Sequence, residues 1–155
     1  MAFKTYTRNL MWQLKLARVM DNYFEPFAWG ENDCFSQMRK AVIAVTNDDF
    51  LYSSAPFAAK VGPDFTMSYK SKTAALKTLK DAGFADFMEL ADLIFERTAP
   101  KLAKDGHICV PDNKLCIGVI HTRKCYYLNE NQSGPSIEAL GSSDVVCWNT
   151  DKWVE

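Results

Sequence analysis

The chain has 155 residues and a formal net charge of −1, which gives no electrostatic case for binding nucleic acid or an anionic membrane. Hydrophobic residues make up 48% and charged residues 24%, the balance of one globular domain with room for a core, so residues 1–155 read as a single domain. No apolar run approaches the roughly 18 residues of a membrane-spanning helix, and MAFKTYTRNLMWQLK lacks the apolar stretch and cleavage site of a secretory leader, so folding in a cytosol is expected.

The first half reads as helical. TRNLMWQLKLARVMDNYF predicts a helix from about Thr7 to Asp21, with Leu10, Met11, Leu14, Ala17 and Val19 largely on one face. A loop with Pro26 and Gly30 follows. The second helix is expected from Cys34 to about Val45, capped by Asn32 or Asp33, with Phe35, Met38, Ala41, Val42 and Val45 inward. Residues 46–69 show no clean period and read as a long loop with at most a short helical turn. SKTAALKTLKDAGF predicts a short helix capped by Ser71 or Thr73 and closed by Gly83, with Ala75, Leu76 and Leu79 inward and Lys70, Lys72, Lys77 and Lys80 solvated. ADFMELADLIFERT predicts another, burying Phe87, Leu90, Ala91 and Ile94.

The character changes after Pro100. GHICV and LCIGVI are short β-rich runs joined by PDNK, a good hairpin turn; KCYYL reads as a third strand and SDVVCW as a fourth. Helices over about 7–99 followed by an antiparallel sheet over about 106–149 make the fold class α+β. Tyr126, Tyr127 and Trp148 fit a sheet face packed on the helices.

Five cysteines stand at 34, 109, 116, 125 and 147. The odd count and a reducing compartment argue against a disulfide framework. With no CxxC pair, zinc is poorly supported, and Asp48 and Asp49 have no partner at metal-ligand spacing. No metal or other cofactor is expected. Cys109, Cys116, Cys125 and Cys147 read as small buried hydrophobes.

Cys34 is different. In PFAWGENDCF (Pro26 to Phe35) an aromatic-Gly turn precedes Asn-Asp-Cys, and the cysteine opens an amphipathic helix. The helix dipole and unpaired N–H groups there favour thiolate, the nucleophilic form. The bland alternative is a cysteine packed as a small hydrophobe.

That motif, at the head of a helical half followed by an antiparallel sheet, resembles the papain-like cysteine hydrolases. More narrowly, it resembles the NlpC-type cell-wall peptidases, whose signature runs Pro-Tyr-x-Trp-Gly-Gly and then Asp-Cys-Ser. It is similar above all to a phage-encoded, tail-assembly-associated branch of that superfamily. That branch carries PFxWGxNDC, then a tyrosine-led stretch like YKSKTAALKTLKDAGFADFMEL, a Gly-led strand like DGHICV, and a closing segment with a Trp, as in DVVCWNTDKW. The resemblance covers about residues 10–153. It implies that Cys34 matches the nucleophile and Asp33 the residue before it, and that Trp29 and Gly30 match the turn. Trp29 and Asp33 are thereby binding candidates, with a plug over the core as the alternative for Trp29.

Three positions depart from the pattern. The tyrosine that assists the oxyanion site corresponds to Phe27, the second turn glycine to Glu31, and the catalytic histidine to Cys116. A cysteine hydrolase needs a base within reach of the thiol, and the chain has two histidines. His121 is five residues beyond Cys116, about 16 Å along a strand and on the other face. If PDNK makes a tight hairpin, Cys109 faces Cys116 and His107 faces Gly118, so that His107 becomes a displaced candidate base with Asn129 to orient it. The alternative for His107 is a half-buried residue at a strand start.

Two functions follow from the resemblance. One is a phage tail or virion assembly protein, located in the particle after synthesis in the host cytoplasm. Its partners are other virion proteins, met through loops 46–69 or 129–143, and its catalytic machinery is eroded. The other is an active cysteine amidase or peptidase cleaving peptidoglycan stem peptides with Cys34. An unrelated host-encoded α+β domain is the third possibility.

Overall fold

The computed structural model describes residues 3–62, 65, 68–111, 116–128, 130, 134–141 and 145–154. Among them run six α-helices and one antiparallel sheet of seven strands, an α+β architecture.

Strand β1 (Lys4–Thr5) comes first, and α1 spans Trp12–Asp21. The helix starts later than the sequence suggests because Asn9 turns the chain. Its side-chain amide donates to the Ala44 and Val45 carbonyls, and its Oδ1 accepts from the Met11 N–H at 3.0 Å. The buried stripe is also rotated from the expected one. Leu16, Met20 and Tyr23 are buried and Trp12 and Val19 pack beside them, whereas Leu10 is 98% exposed and Met11 and Leu14 are also exposed. The chain offers two apolar stripes here, and contact with α2 selects the one carrying Trp12 and Tyr23.

Helix α2 (Cys34–Thr46) is the centre of the helical layer, and its expected face is buried in full. Asp33 caps it, with Oδ1 accepting from the Ser36 N–H at 2.9 Å, and Asn47 ends it in the left-handed conformation. Residues 50–61, expected as loop, form α3 (Phe50–Ser53) and α4 (Ala55–Val61). Both are too short for a readable period. They are held by Phe50 and Phe57, each fully buried with its ring edge against the other. Helix α5 (Lys72–Asp81) is capped by Ser71 as expected, although Leu76 is exposed. Helix α6 (Phe87–Ile94) is capped by Asp86, whose carboxylate accepts from the Glu89 N–H, while the Glu89 carboxylate reaches back to the Ala85 N–H just before the cap.

Phe95–Thr98, expected to continue that helix, is strand β2 instead. It pairs with β7 (Val146–Trp153), and Phe95 packs edge-on to the Trp153 ring. This long-range pairing overrides the helical preference of Glu96 and Arg97. The other strands are β3 (Ile108–Val110), β4 (Gly118–His121), β5 (Lys124–Tyr127) and β6 (Ser136–Ala139), in the order β1-β7-β3-β4-β5-β6. Residues 112–114 of the expected PDNK turn lie outside the described residues. The register beside it differs by two from the expected one: Cys109 pairs with Gly118, and the Ile120 N–H donates to the His107 carbonyl at 2.8 Å.

Alternation divides the sheet between two clusters. Ile108, Val110, Val119 and Trp148 face the helices and join the main core. Cys109, Ile120, Cys125 and Cys147 face the other side, covered by Ala103, Leu140 and Val145. Cys109 and Cys125 are disulfide-bonded, with Cα atoms 6.3 Å apart. This corrects the expectation that Cys109 and Cys125, like Cys116 and Cys147, are simple buried hydrophobes outside any disulfide: strand pairing brings residues 109 and 125 into bonding reach, which their spacing in sequence does not reveal.

Candidate functional site

The Pro26–Phe35 loop is held by polar side chains that turn inward. Asn32 donates to the carbonyls of Asn22, Glu25 and Pro26, and its Oδ1 accepts from Gln37 Nε2 at 2.6 Å. Gly30 has φ +79°, and a Cβ on it would lie 2.5 Å from the Tyr69 carbonyl oxygen. Asp33 is fully buried. Its Oδ2 accepts from the Gly30 N–H at 2.6 Å, and its carboxylate also holds the Tyr69 hydroxyl. Asn32 and Asp33 thus fix the turn and the helix start, and with them the position of Cys34.

The Cys34 thiol points into the interface between α2 and the start of β4. It is buried, accepts from the backbone N–H of Ile117 and Phe35, and has Cys116 beside it. Burial pushes this thiol up to about 12, Cys116 and the Asp33 carboxylate push the same way, and the two N–H groups only partly oppose them. The helix N-terminus alone favours thiolate; here desolvation wins and the thiol keeps its proton. Tyr23 reaches the same spot, and its buried hydroxyl has no hydrogen-bond partner among the described residues.

The imidazoles lie elsewhere. His107 is buried; its Nδ1 accepts from the Lys104 N–H at 3.1 Å, so Nε2 carries the proton and donates to Asp151 Oδ2 at 3.2 Å. Both ring nitrogens are occupied away from Cys34, and the displaced-base geometry expected from the hairpin does not form. His121 ends β4 against the Tyr126 ring. Asn129 lies outside the described residues. Cys116, the position that corresponds to the catalytic histidine in the resemblance, precedes Ile117, whose N–H reaches Cys34, and lies near enough to raise the Cys34 thiol electrostatically. Its own Sγ donates to the Leu128 carbonyl at 3.8 Å.

Trp29 is half-buried. Its Nε1 donates to Glu130 at 2.9 Å, and its ring edges pack on Phe27 and Tyr69. A groove of about 600 Å³ runs along α2, lined by Gly30, Phe35, Arg39, Lys40, Tyr52 and Phe65 among others, and Cys34 does not line it.

Residues 7–146 match a family model described as a domain of unknown function, DUF6950. The chain belongs to the DUF6950 family. No curated protein and no solved structure matches it. The matched region of this DUF6950 chain takes in the Asn32–Cys34 turn, Tyr69, Cys116 and the first residue of β7.

Reading the sequence of this DUF6950 member alone misses Tyr23 and Tyr69 as neighbours of Cys34. Tyr23 lies eleven residues before the cysteine, at the end of a helix whose buried face is ambiguous. Tyr69 carries one local signal, as the aromatic that opens the stretch leading to Ser71.

Proposed function

We propose that this chain is a phage tail or virion assembly protein built on an NlpC-like scaffold whose cysteine-hydrolase chemistry has been lost. The observation that carries the reading is the neighbour of Cys34. The thiol heads a helix against an antiparallel sheet, as in the family it resembles, and the residue beside it is Cys116 where that family has histidine. A second thiol in place of an imidazole gives the Cys34 thiol no general base of the kind such chemistry uses.

Binding is then the task that remains, and the α2 groove beside the 46–69 segment is the surface that offers it. Tyr52 stands 82% exposed on its rim.

The chemistry is tested by replacing Cys116 with histidine. The wild-type protein is expected to release no muropeptides from purified peptidoglycan and to resist a peptidyl electrophile at neutral pH. Cys116→His is expected to gain labelling at Cys34. Wild-type cleavage that is lost in Cys34→Ala would establish an active peptidoglycan hydrolase instead. The assembly role is tested by deleting the coding sequence from its phage: tail-less or unjoined particles are expected. Intact infectious particles, with the chain absent from purified wild-type virions by mass spectrometry, would overturn it.

A further inference from the structure

Three of the five cysteines lie on one face of the sheet, in a row across it. Cys109 and Cys147 are direct partners in the β3–β7 register, and direct partners of an antiparallel pair project side by side with Cβ atoms about 5 Å apart. On its other flank Cys109 is bonded to Cys125 of β5. That bridge spans the start of β4 at Gly118, where a Cβ would meet Cys125 Sγ at 2.9 Å and the Tyr126 carbonyl oxygen at 2.5 Å. All three cysteines are buried in one cluster, and Cys147 is a thiol.

Thiol–disulfide exchange proceeds by attack of one sulfur on a disulfide along the line of the bond it breaks. The order Cys147, Cys109, Cys125 across β7, β3 and β5 supplies that line-up without rearranging the sheet. We infer that Cys147 is an internal exchange partner for the Cys109–Cys125 disulfide, so that the bridge moves between β3–β5 and β3–β7. In the forward step the Cys147 sulfur bonds to Cys109 Sγ and the Cys109–Cys125 bond breaks. The electron pair leaves on the Cys125 sulfur, and the proton given up by Cys147 is taken up there. No oxidant or reductant is consumed.

The surroundings suit the step. Burial pushes the Cys147 thiol up to about 11, and the Arg123 guanidinium, which donates to the Ala103 carbonyl at the edge of the cluster, draws it back down. Arg123 is thus placed to favour the attacking thiolate. The two bridge positions also differ in what they restrain. The Cys109–Cys125 bridge ties β5 over Gly118, next to Ile117, whose N–H meets Cys34. The Cys109–Cys147 bridge leaves that end of β4 unclamped, so the position of the disulfide is coupled to the Cys34 pocket.

The test is disulfide mapping of the full chain. Protein purified without reductant is held in mildly alkaline buffer, trapped with N-ethylmaleimide and digested, and the linked peptides are quantified by mass spectrometry. Both Cys109–Cys125 and Cys109–Cys147 linkages are expected, and Cys147→Ser should retain only the first. As a second measurement, Cys125→Ser is treated with diamide, a diazene oxidant that accepts the two thiol hydrogens; Cys109–Cys147 is expected to form. Wild-type protein that yields only Cys109–Cys125, or no disulfide, overturns the inference. So does a folded Cys125→Ser variant in which Cys109 and Cys147 both stay maleimide-reactive after diamide.

Discussion

His107 on β3's approach and Asp151 on β7 are joined across the sheet, Nε2 to Oδ2, at 3.2 Å, and the Arg8 guanidinium closes on the same carboxylate at 3.0 Å. One carboxylate therefore ties the N-terminal segment and the start of the β3–β4 hairpin to the last strand. The buried Thr150 hydroxyl adds a bond to the Gly106 carbonyl beside it. The histidine that looked like a catalytic base is a structural tie.

The Asp151 tie should contribute to the loss of stability in acid. Burial raises the carboxyl, but His107 and Arg8 outweigh it and the net shift is downward from 3.8. A carboxyl lowered on folding stabilises the protein above its unfolded value, and that contribution is lost as pH falls through the folded value. Stability should therefore drop below about pH 4 in the wild type. Asp151→Asn should remove about 2–3 kcal/mol near neutrality and flatten the acid arm, read from urea midpoints across pH. An unchanged acid arm in the variant would assign the acid transition to other carboxylates.

At the other end of the pH scale the Cys34 pocket should dominate. Its thiol rises from 9.0 to about 12, and Cys147 rises to about 11. A group raised on folding stabilises fully below its unfolded value, and that contribution is lost as pH climbs through the folded value, because the unfolded chain gives up its proton first. Stability should fall above pH 9 by about 1.4 kcal/mol per pH unit for each such group, seen as a falling melting temperature. Cys34→Ala should shallow that decline whatever its cost at neutral pH. A decline equally steep in the variant would mean that the Cys34 thiol titrates normally.

The turn before Cys34 depends on Gly30. Its φ of +79° already disfavours a side chain, and a Cβ would press on the Tyr69 carbonyl at 2.5 Å. Gly30→Ala should destabilise by at least about 1–3 kcal/mol, and it should loosen the Asp33–Tyr69 contact that anchors the loop. The second effect is visible as earlier exchange of the Ser36 amide, whose hydrogen goes to Asp33. A variant with wild-type stability and an unchanged Ser36 amide would show that Tyr69 moves aside without cost.

How far the sequence carries can be judged from single residues. Helices α2, α5 and α6 are legible because each has a capping side chain and a buried face at helical spacing, as with Asp33 before Phe35, Met38 and Val42. Cys34 is legible as a position and not as a chemical state, since its neighbours Tyr23, Cys116 and Ile117 arrive from distant parts of the chain. Strand β2 and the Cys109–Cys125 bridge are invisible for the same reason. Phe95–Thr98 becomes a strand because β7 lies beside it, and the two cysteines meet because β4 carries glycine at 118. The buried face of α1 fails differently: two apolar stripes compete locally, and tertiary contact decides between them.

The β4–β5 hairpin turn offers a stabilising change. Thr122 and Arg123 have φ of 51° and 64° between the paired residues His121 and Lys124, which is the geometry of a two-residue turn that Asn-Gly fits best. A β-branched residue is strained at such a φ. Thr122→Asn should therefore raise stability by about 1 kcal/mol, seen as a higher melting temperature. Arg123→Gly relieves the same kind of strain, but it forfeits the guanidinium bond to the Ala103 carbonyl at 2.5 Å, so its net effect should be close to zero. Equal gains from the two changes would mean that the Arg123 bond contributes nothing to stability. A loss from Thr122→Asn would mean that the Thr122 hydroxyl bond to the His121 carbonyl at 2.7 Å outweighs the backbone strain.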